Sequence, residues 1–132
     1  MLYGSECWAV KRQHLHKLSV VEMRMLRWMN DYTRMDRIRN DNIRNKIGVA
    51  PIEDKVHEGR LRRYGHIHCR PLEAPVCAWE DILIPNTRRG RGRPKLTWVD
   101  VVRYDCQDLR LEKDLYKNRT KWKRRIHIAD PK

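Results

Sequence analysis

Ser19-Val20-Val21-Glu22-Met23-Arg24-Met25-Leu26-Arg27-Trp28-Met29-Asn30-Asp31-Tyr32 decides the fold class. Leu18, Val21, Met25, Trp28 and Tyr32 recur at alternating intervals of three and four residues, the period of one helix face. Ser19 and Glu22 fit a capping box, in which each side chain takes the other's unpaired amide. The spacing predicts a helix that starts at Ser19 and stops at Asn30-Asp31. Its Met and Trp residues read as core rather than as a ligand box, with Arg24 and Arg27 off the stripe.

Downstream the pattern stays helical. Thr33 and Asp36 can cap a short second helix, and a third runs from about Asp41 to Ile47. Gly48 suits the left-handed residue that closes it. A longer helical pattern then leads from Ile52 into the sixties, with Val56, Leu61, Tyr64 and Ile67 as core candidates. Helix, Gly turn, helix is the outline of a helix-turn-helix, but any small bundle makes such a corner. Arg60-Leu61-Arg62-Arg63-Tyr64-Gly65-His66-Ile67-His68-Cys69-Arg70 sets arginines around a tyrosine. Backbone contact and base stacking use that form, and so does a solvated helix face. Arg60, Arg62, Arg63, His66 and Arg70 are candidate nucleic-acid contacts. His66, His68, Cys69 and Cys77 have no spacing that matches a zinc finger, so no metal is expected.

Pro71, Pro75, Pro85 and Pro94, with Gly90 and Gly92, interrupt every period between 71 and 96. Trp79, Ile82, Leu83 and Ile84 can form a brief strand there or pack back on the bundle. The stretch ends in Arg88-Arg89-Gly90-Arg91-Gly92-Arg93-Pro94-Lys95, where five of eight residues are cationic. Its glycines and proline oppose regular structure. Arg88, Arg89, Arg91, Arg93 and Lys95 read as a phosphate tether. The Gly-Arg-Pro core also looks like an AT-hook, which lays extended chain into a narrow A·T minor groove. A solvated hinge is the plain alternative.

Thr97 and Asp100 fit another capping box. Trp98, Val102, Cys106 and Leu109 follow at helical spacing. Leu111, Leu115, Trp122 and Ile126 predict one further helix, with Arg119, Lys121, Lys123, Arg124 and Arg125 on its outer face. Lys121, Lys123, Arg124 and Arg125 join the candidate contacts, though cations near a helix C-terminus also complement its dipole.

Composition sets the limits. The chain has 132 residues, 30 Lys+Arg against 17 Asp+Glu, and a net charge of +13. Its sequence pI is near 10.1 and its mean hydropathy is -0.87. Such an excess is an electrostatic footprint for nucleic acid or an anionic surface. No apolar run approaches the ~20 residues of a membrane span, and the first residues lack the charged and apolar regions of a signal peptide. An intracellular place, nuclear or cytoplasmic, is expected, with Cys7, Cys69, Cys77 and Cys106 as thiols. Leu2, Tyr3, Trp8 and Val10 need an apolar partner so close to the start that the chain reads as part of something longer. No phosphate-binding Gly-rich loop, nucleophile elbow or helix-borne zinc motif is present. No carboxylate cluster of the kind two-metal polymerisation needs can be picked out. No catalytic residue, cofactor or metal is assigned, and the chain is expected not to be an enzyme.

Several stretches carry a resemblance, in order. Leu2-Tyr3-Gly4-Ser5-Glu6-Cys7-Trp8 resembles a segment just beyond the catalytic palm of non-LTR retrotransposon reverse transcriptases. Glu22-Met23-Arg24-Met25-Leu26-Arg27-Trp28 is similar to the helix that follows it there. Asp36-Arg37-Ile38-Arg39-Asn40, Ile47-Gly48-Val49-Ala50-Pro51-Ile52 and Arg60-Leu61-Arg62-Arg63-Tyr64-Gly65-His66-Ile67 come next. Arg91-Gly92-Arg93-Pro94-Lys95 with Trp98, then Asn118-Arg119 with Trp122 and Ile126-His127, complete the set. The likeness spans nearly the whole chain and is nearest to the plant RTE-like lineage of LINE elements. It implies a thumb-like, post-palm region that grips template RNA and target-primed DNA, with polymerase and endonuclease activities seated upstream. The upstream palm is then a partner, beside RNA, DNA or their hybrid.

The expected architecture is mainly α. It divides into a lead-in at 1–18, a thumb-like helical bundle at 19–70, a basic irregular linker at 71–96 and a C-terminal helical hairpin at 97–132. The expected function is non-catalytic nucleic-acid binding. A small AT-hook-like DNA-binding protein and a decayed, inactive copy are the alternatives.

Overall fold

In the computed structural model the described residues are 3–71, 73–78, 91–92, 96–112 and 114–131. They form six α-helices and no strand, so the fold is mainly α. The helices are α1 (Arg12–Met29), α2 (Asn40–Ile47), α3 (Ile52–His68), α4 (Pro75–Ala78), α5 (Trp98–Asp108) and α6 (Arg119–Ile126). Single 3-10 turns at Ser5–Cys7, Arg34–Asp36 and Leu115–Lys117 join them. The brief strand expected around Trp79 and Ile82–Ile84 lies outside the described residues.

Central to the fold is α3, which packs against the first 3-10 turn, α1, α5 and α6. Leu61 and Ile67 of α3 are buried with Trp98 and Val102 of α5 and Trp122 and Ile126 of α6. A second, smaller cluster joins Met23 and Leu26 of α1 to Ile43 of α2, with Tyr32, Ile38 and Ile47 at its edge. Local signals were reliable where a cap or glycine fixed them. Gly48 closes α2 at φ 73°. Thr33–Asp36 and Thr97–Asp100 both form reciprocal capping boxes, the first around one 3-10 turn rather than a longer helix.

Three expectations are corrected. Helix α1 begins at Arg12, not Ser19. Ser19 lies inside it and its hydroxyl accepts from Arg44 at 3.3 Å, while Glu22 pairs with Arg44 at 2.8 Å instead of capping. Both residues therefore dock α2 onto α1.

The apolar stripe of α1 is also not core. Val21, Met25 and Trp28 are 42%, 51% and 82% exposed. Residues on the opposite side, Met23 and Leu26, face inward instead. Arg27, on the packed side, donates to the Ile38 carbonyl at 2.8 Å and to Asn40 Oδ1 at 2.9 Å. This helix is apolar on two faces, and periodicity alone does not say which is covered.

The predicted helix from Leu111 to Ile126 is broken. Arg110 adopts φ 49° after α5, and the chain makes a 3-10 turn before Asn118 starts α6. Asn118 Oδ1 accepts from the Lys121 amide at 3.1 Å, an N-cap the spacing of apolar residues does not reveal.

Beyond α6 the chain runs back along α3. Lys55 Nζ donates to the Ile128 carbonyl at 2.7 Å, the Ile128 amide donates to Glu58 Oε2 at 3.2 Å, and the Ala50 amide donates to Asp130 Oδ1 at 3.1 Å. Residues 127–131 thus act as a strap over the first turns of α3.

Candidate nucleic-acid interface

The side chains that can meet a polyanion are placed by how α3 and α6 cross. Gly65 lets them approach closely: a Cβ built there would overlap the Trp122 indole. Trp122 fills that space and its Nε1 donates to the Leu61 carbonyl at 3.2 Å. Burial of Trp122 and Ile126, four residues apart on α6, sets the helix's roll. Arg119 and Lys123 then fall toward α3, while Lys121, Arg124 and Arg125 are exposed on the outer side.

Arg62 and His66 stand one turn apart on α3, and Arg70 follows two residues beyond its end. Together with Arg119 and Lys123 they rim a cleft of about 580 Å³. Gly65, Cys69, Tyr116, Trp122 and Ile126 line the same cleft, and no carboxylate does. Tyr116 packs edge-on to Tyr64, with ring centroids 5.9 Å apart, and against His68 at 5.4 Å. The Cys69 thiol donates to the Tyr116 carbonyl at 3.1 Å.

Charge in this region is largely unneutralised. Arg119, Lys121, Lys123, Arg124 and Arg125 have no ion-pair partner among the described residues. Arg62 pairs with Glu58, and Arg70 lies 3.1 Å from His66 Nε2. Burial pushes the Glu58 carboxyl up. The Ile128 amide, His127, Arg62 and Lys55 outweigh that effect and hold it below the ordinary 4.5. Glu58 therefore stays ionised at neutral pH, shared between α3 and the 127–131 strap.

Arg60 does not belong to this surface. It is 1% exposed, and Nε and Nη2 donate to Asp105 Oδ2 at 2.8 Å and Oδ1 at 3.0 Å. Its role is to tie α3 to α5, and no phosphate can reach it in this conformation. Arg63 is half-buried and outside the cleft. Arg91 is exposed. Arg88, Arg89, Arg93 and Lys95 lie outside the described residues.

His66, His68, Cys69 and Cys77 do not converge. His68 packs on Tyr64 at 4.2 Å, and Cys77 donates to the Ile67 carbonyl at 3.5 Å. Among the described residues no group of three His, Cys, Asp or Glu is arranged to hold a metal ion. All four cysteines are free thiols. No described helix is long and apolar enough to cross a membrane.

Sequence reasoning missed Arg119, Tyr116 and Trp122 as parts of one site. The four-residue spacings Arg62–His66–Arg70 and Arg119–Lys123 were available as a signal. Their convergence was not, because it depends on Gly65 accepting Trp122. No protein-family model matches the chain, and neither a curated protein nor a solved structure shows significant similarity.

Proposed function

We propose that this chain is a non-catalytic nucleic-acid-binding module, and that the α3–α6 cleft with the outer face of α6 is its contact surface. The observation that carries the reading is a concave site rimmed by Arg62, Arg70, Arg119 and Lys123 with no carboxylate in its lining. A net charge of +13 adds long-range attraction. Arg88, Arg89, Arg91, Arg93 and Lys95 extend the phosphate contacts along the basic run. The ordered motifs support a more specific origin, the thumb-like, post-palm region of a LINE-type reverse transcriptase working in the nucleus or cytoplasm. On that reading the exposed α1 stripe is the face offered to the upstream palm.

The test is titration of the purified chain with single strand, duplex and RNA–DNA hybrid at ~50 and ~200 mM salt. Binding is expected to weaken steeply with salt. Reversing Arg119 and Lys123 to Glu should lower the log–log salt slope by roughly 0.7–0.9 for each phosphate that is no longer neutralised. Equal binding at the two salt concentrations rejects the proposal.

A further inference from the structure

Phosphates need only the rim of the α3–α6 cleft, yet its floor is apolar. Beneath Arg62, His66, Arg70, Arg119 and Lys123 lie Gly65, Tyr116, Trp122 and Ile126. A duplex offers such a site its sugar-phosphate ridge, because its base faces are stacked inside. An unpaired nucleotide offers an anion and a π-face together, and that combination matches a cationic rim over an aromatic floor. We propose that the cleft seats an unpaired nucleotide of a single strand. Its base lies against the Tyr116 ring, over a floor closed by the buried Trp122, and Arg62, Arg70, Arg119 and Lys123 hold the flanking phosphates. This rests on the nucleic-acid reading above and narrows it to single-stranded substrate.

Size and spacing agree. A volume of about 580 Å³ falls inside the ~300–1,000 Å³ range of small-molecule sites. Arg62 and His66 lie four residues apart on α3, a step of about 6 Å along the helix axis, and Arg70 continues the row just past the helix end, so one wall can follow successive nucleotides of an extended strand. Two polar groups of the cleft are already engaged, the Trp122 Nε1 by the Leu61 carbonyl and the Cys69 thiol by the Tyr116 carbonyl. Stacking is tolerant of base identity, so the seat takes any base.

The experiment compares a short labelled oligothymidylate with an abasic chain carrying the same number of phosphates, by anisotropy on the full chain at ~50 mM salt. The abasic chain should bind about tenfold more weakly, the effect of losing a stacked base. Cys69→Leu fills the cleft with an aliphatic side chain that has no π-face and changes no charge. It should abolish the difference while leaving abasic-chain affinity and its salt slope in place, and Cys69→Ser should retain the difference. Equal affinity of parent protein for the two strands overturns the proposal, as does an intact base preference in a folded Cys69→Leu variant. Salt-dependent binding in those cases would leave the basic surface standing. Absence of binding by both strands overturns the basic surface and the seat together. Competition by thymidine monophosphate as effective as by the oligomer would give the cleft to free nucleotides and overturn the strand assignment.

Discussion

Replacing Arg60 by Met separates a structural arginine from a phosphate-binding one. Met keeps most of the side chain's length and apolar bulk, so little cavity forms. What is lost is a bidentate pair with Asp105, at 2.8 and 3.0 Å. What remains is a carboxylate that is 5% exposed, with His57 Nδ1 as its nearest ion-pair partner at 3.7 Å. Breaking a buried pair from one side costs ~3–5 kcal/mol, because the surviving charge is stranded. At this chain length that corresponds to a fall in melting temperature of roughly 10–20 °C. The Arg60→Met/Asp105→Leu double variant removes both charges and should recover most of the loss. Urea unfolding of the parent, both single variants and the double variant closes the cycle. Below its melting temperature Arg60→Met should keep the parent's salt slope for oligonucleotide binding. A cost under ~1 kcal/mol together with a reduced salt slope would refute the assignment and return Arg60 to the binding surface.

Gly65→Ala should cost ~1–3 kcal/mol by overpacking against Trp122, seen as a lower urea midpoint and altered indole fluorescence. Thr97→Ala removes the hydroxyl that accepts the Asp100 amide at 3.2 Å and should cost about 1 kcal/mol in thermal unfolding. The carboxyl of Glu58 sits below its ordinary 4.5 when folded. Its stabilisation is therefore complete above that pH and is lost as the pH falls through the ordinary value toward the depressed one. Acid titration of the melting temperature should show this limb, and Glu58→Gln should flatten it while lowering stability at neutral pH.

Elements with local chemistry were readable from the sequence. Gly48 and the Thr97–Asp100 box each act within a turn of themselves, and the inward face of α3 shows in the spacing of Val56, Leu61 and Ile67. The errors arose where distant residues decide. Ser19 and Glu22 have the composition of a cap, but Arg44 of α2 claims both side chains. The stripe of Val21, Met25 and Trp28 is as regular as any core face, yet α2 packs on the side bearing Met23 and Leu26. Arg60 looks like its neighbours Arg62 and Arg63 until Asp105 is brought beside it. The candidate site was legible as charge on α3 and α6, but its concavity depends on one glycine and one tryptophan 57 positions apart (122 − 65).

The open stripe of α1 also bears on how copies of the protein behave toward one another. At low ionic strength a charge of +13 keeps molecules apart. That barrier shrinks as the Debye length falls from ~10 Å at 0.1 M salt to ~3 Å at 1 M. A polyanion removes it more completely, by cancelling charge where the protein is bound. If the proposed function holds, several copies on one strand would become a row of greasy beads, with Met25 and Trp28 outermost. Nucleic acid would thus drive condensation as well as occupancy, and turbidity should peak near charge balance and clear again when the strand is in excess.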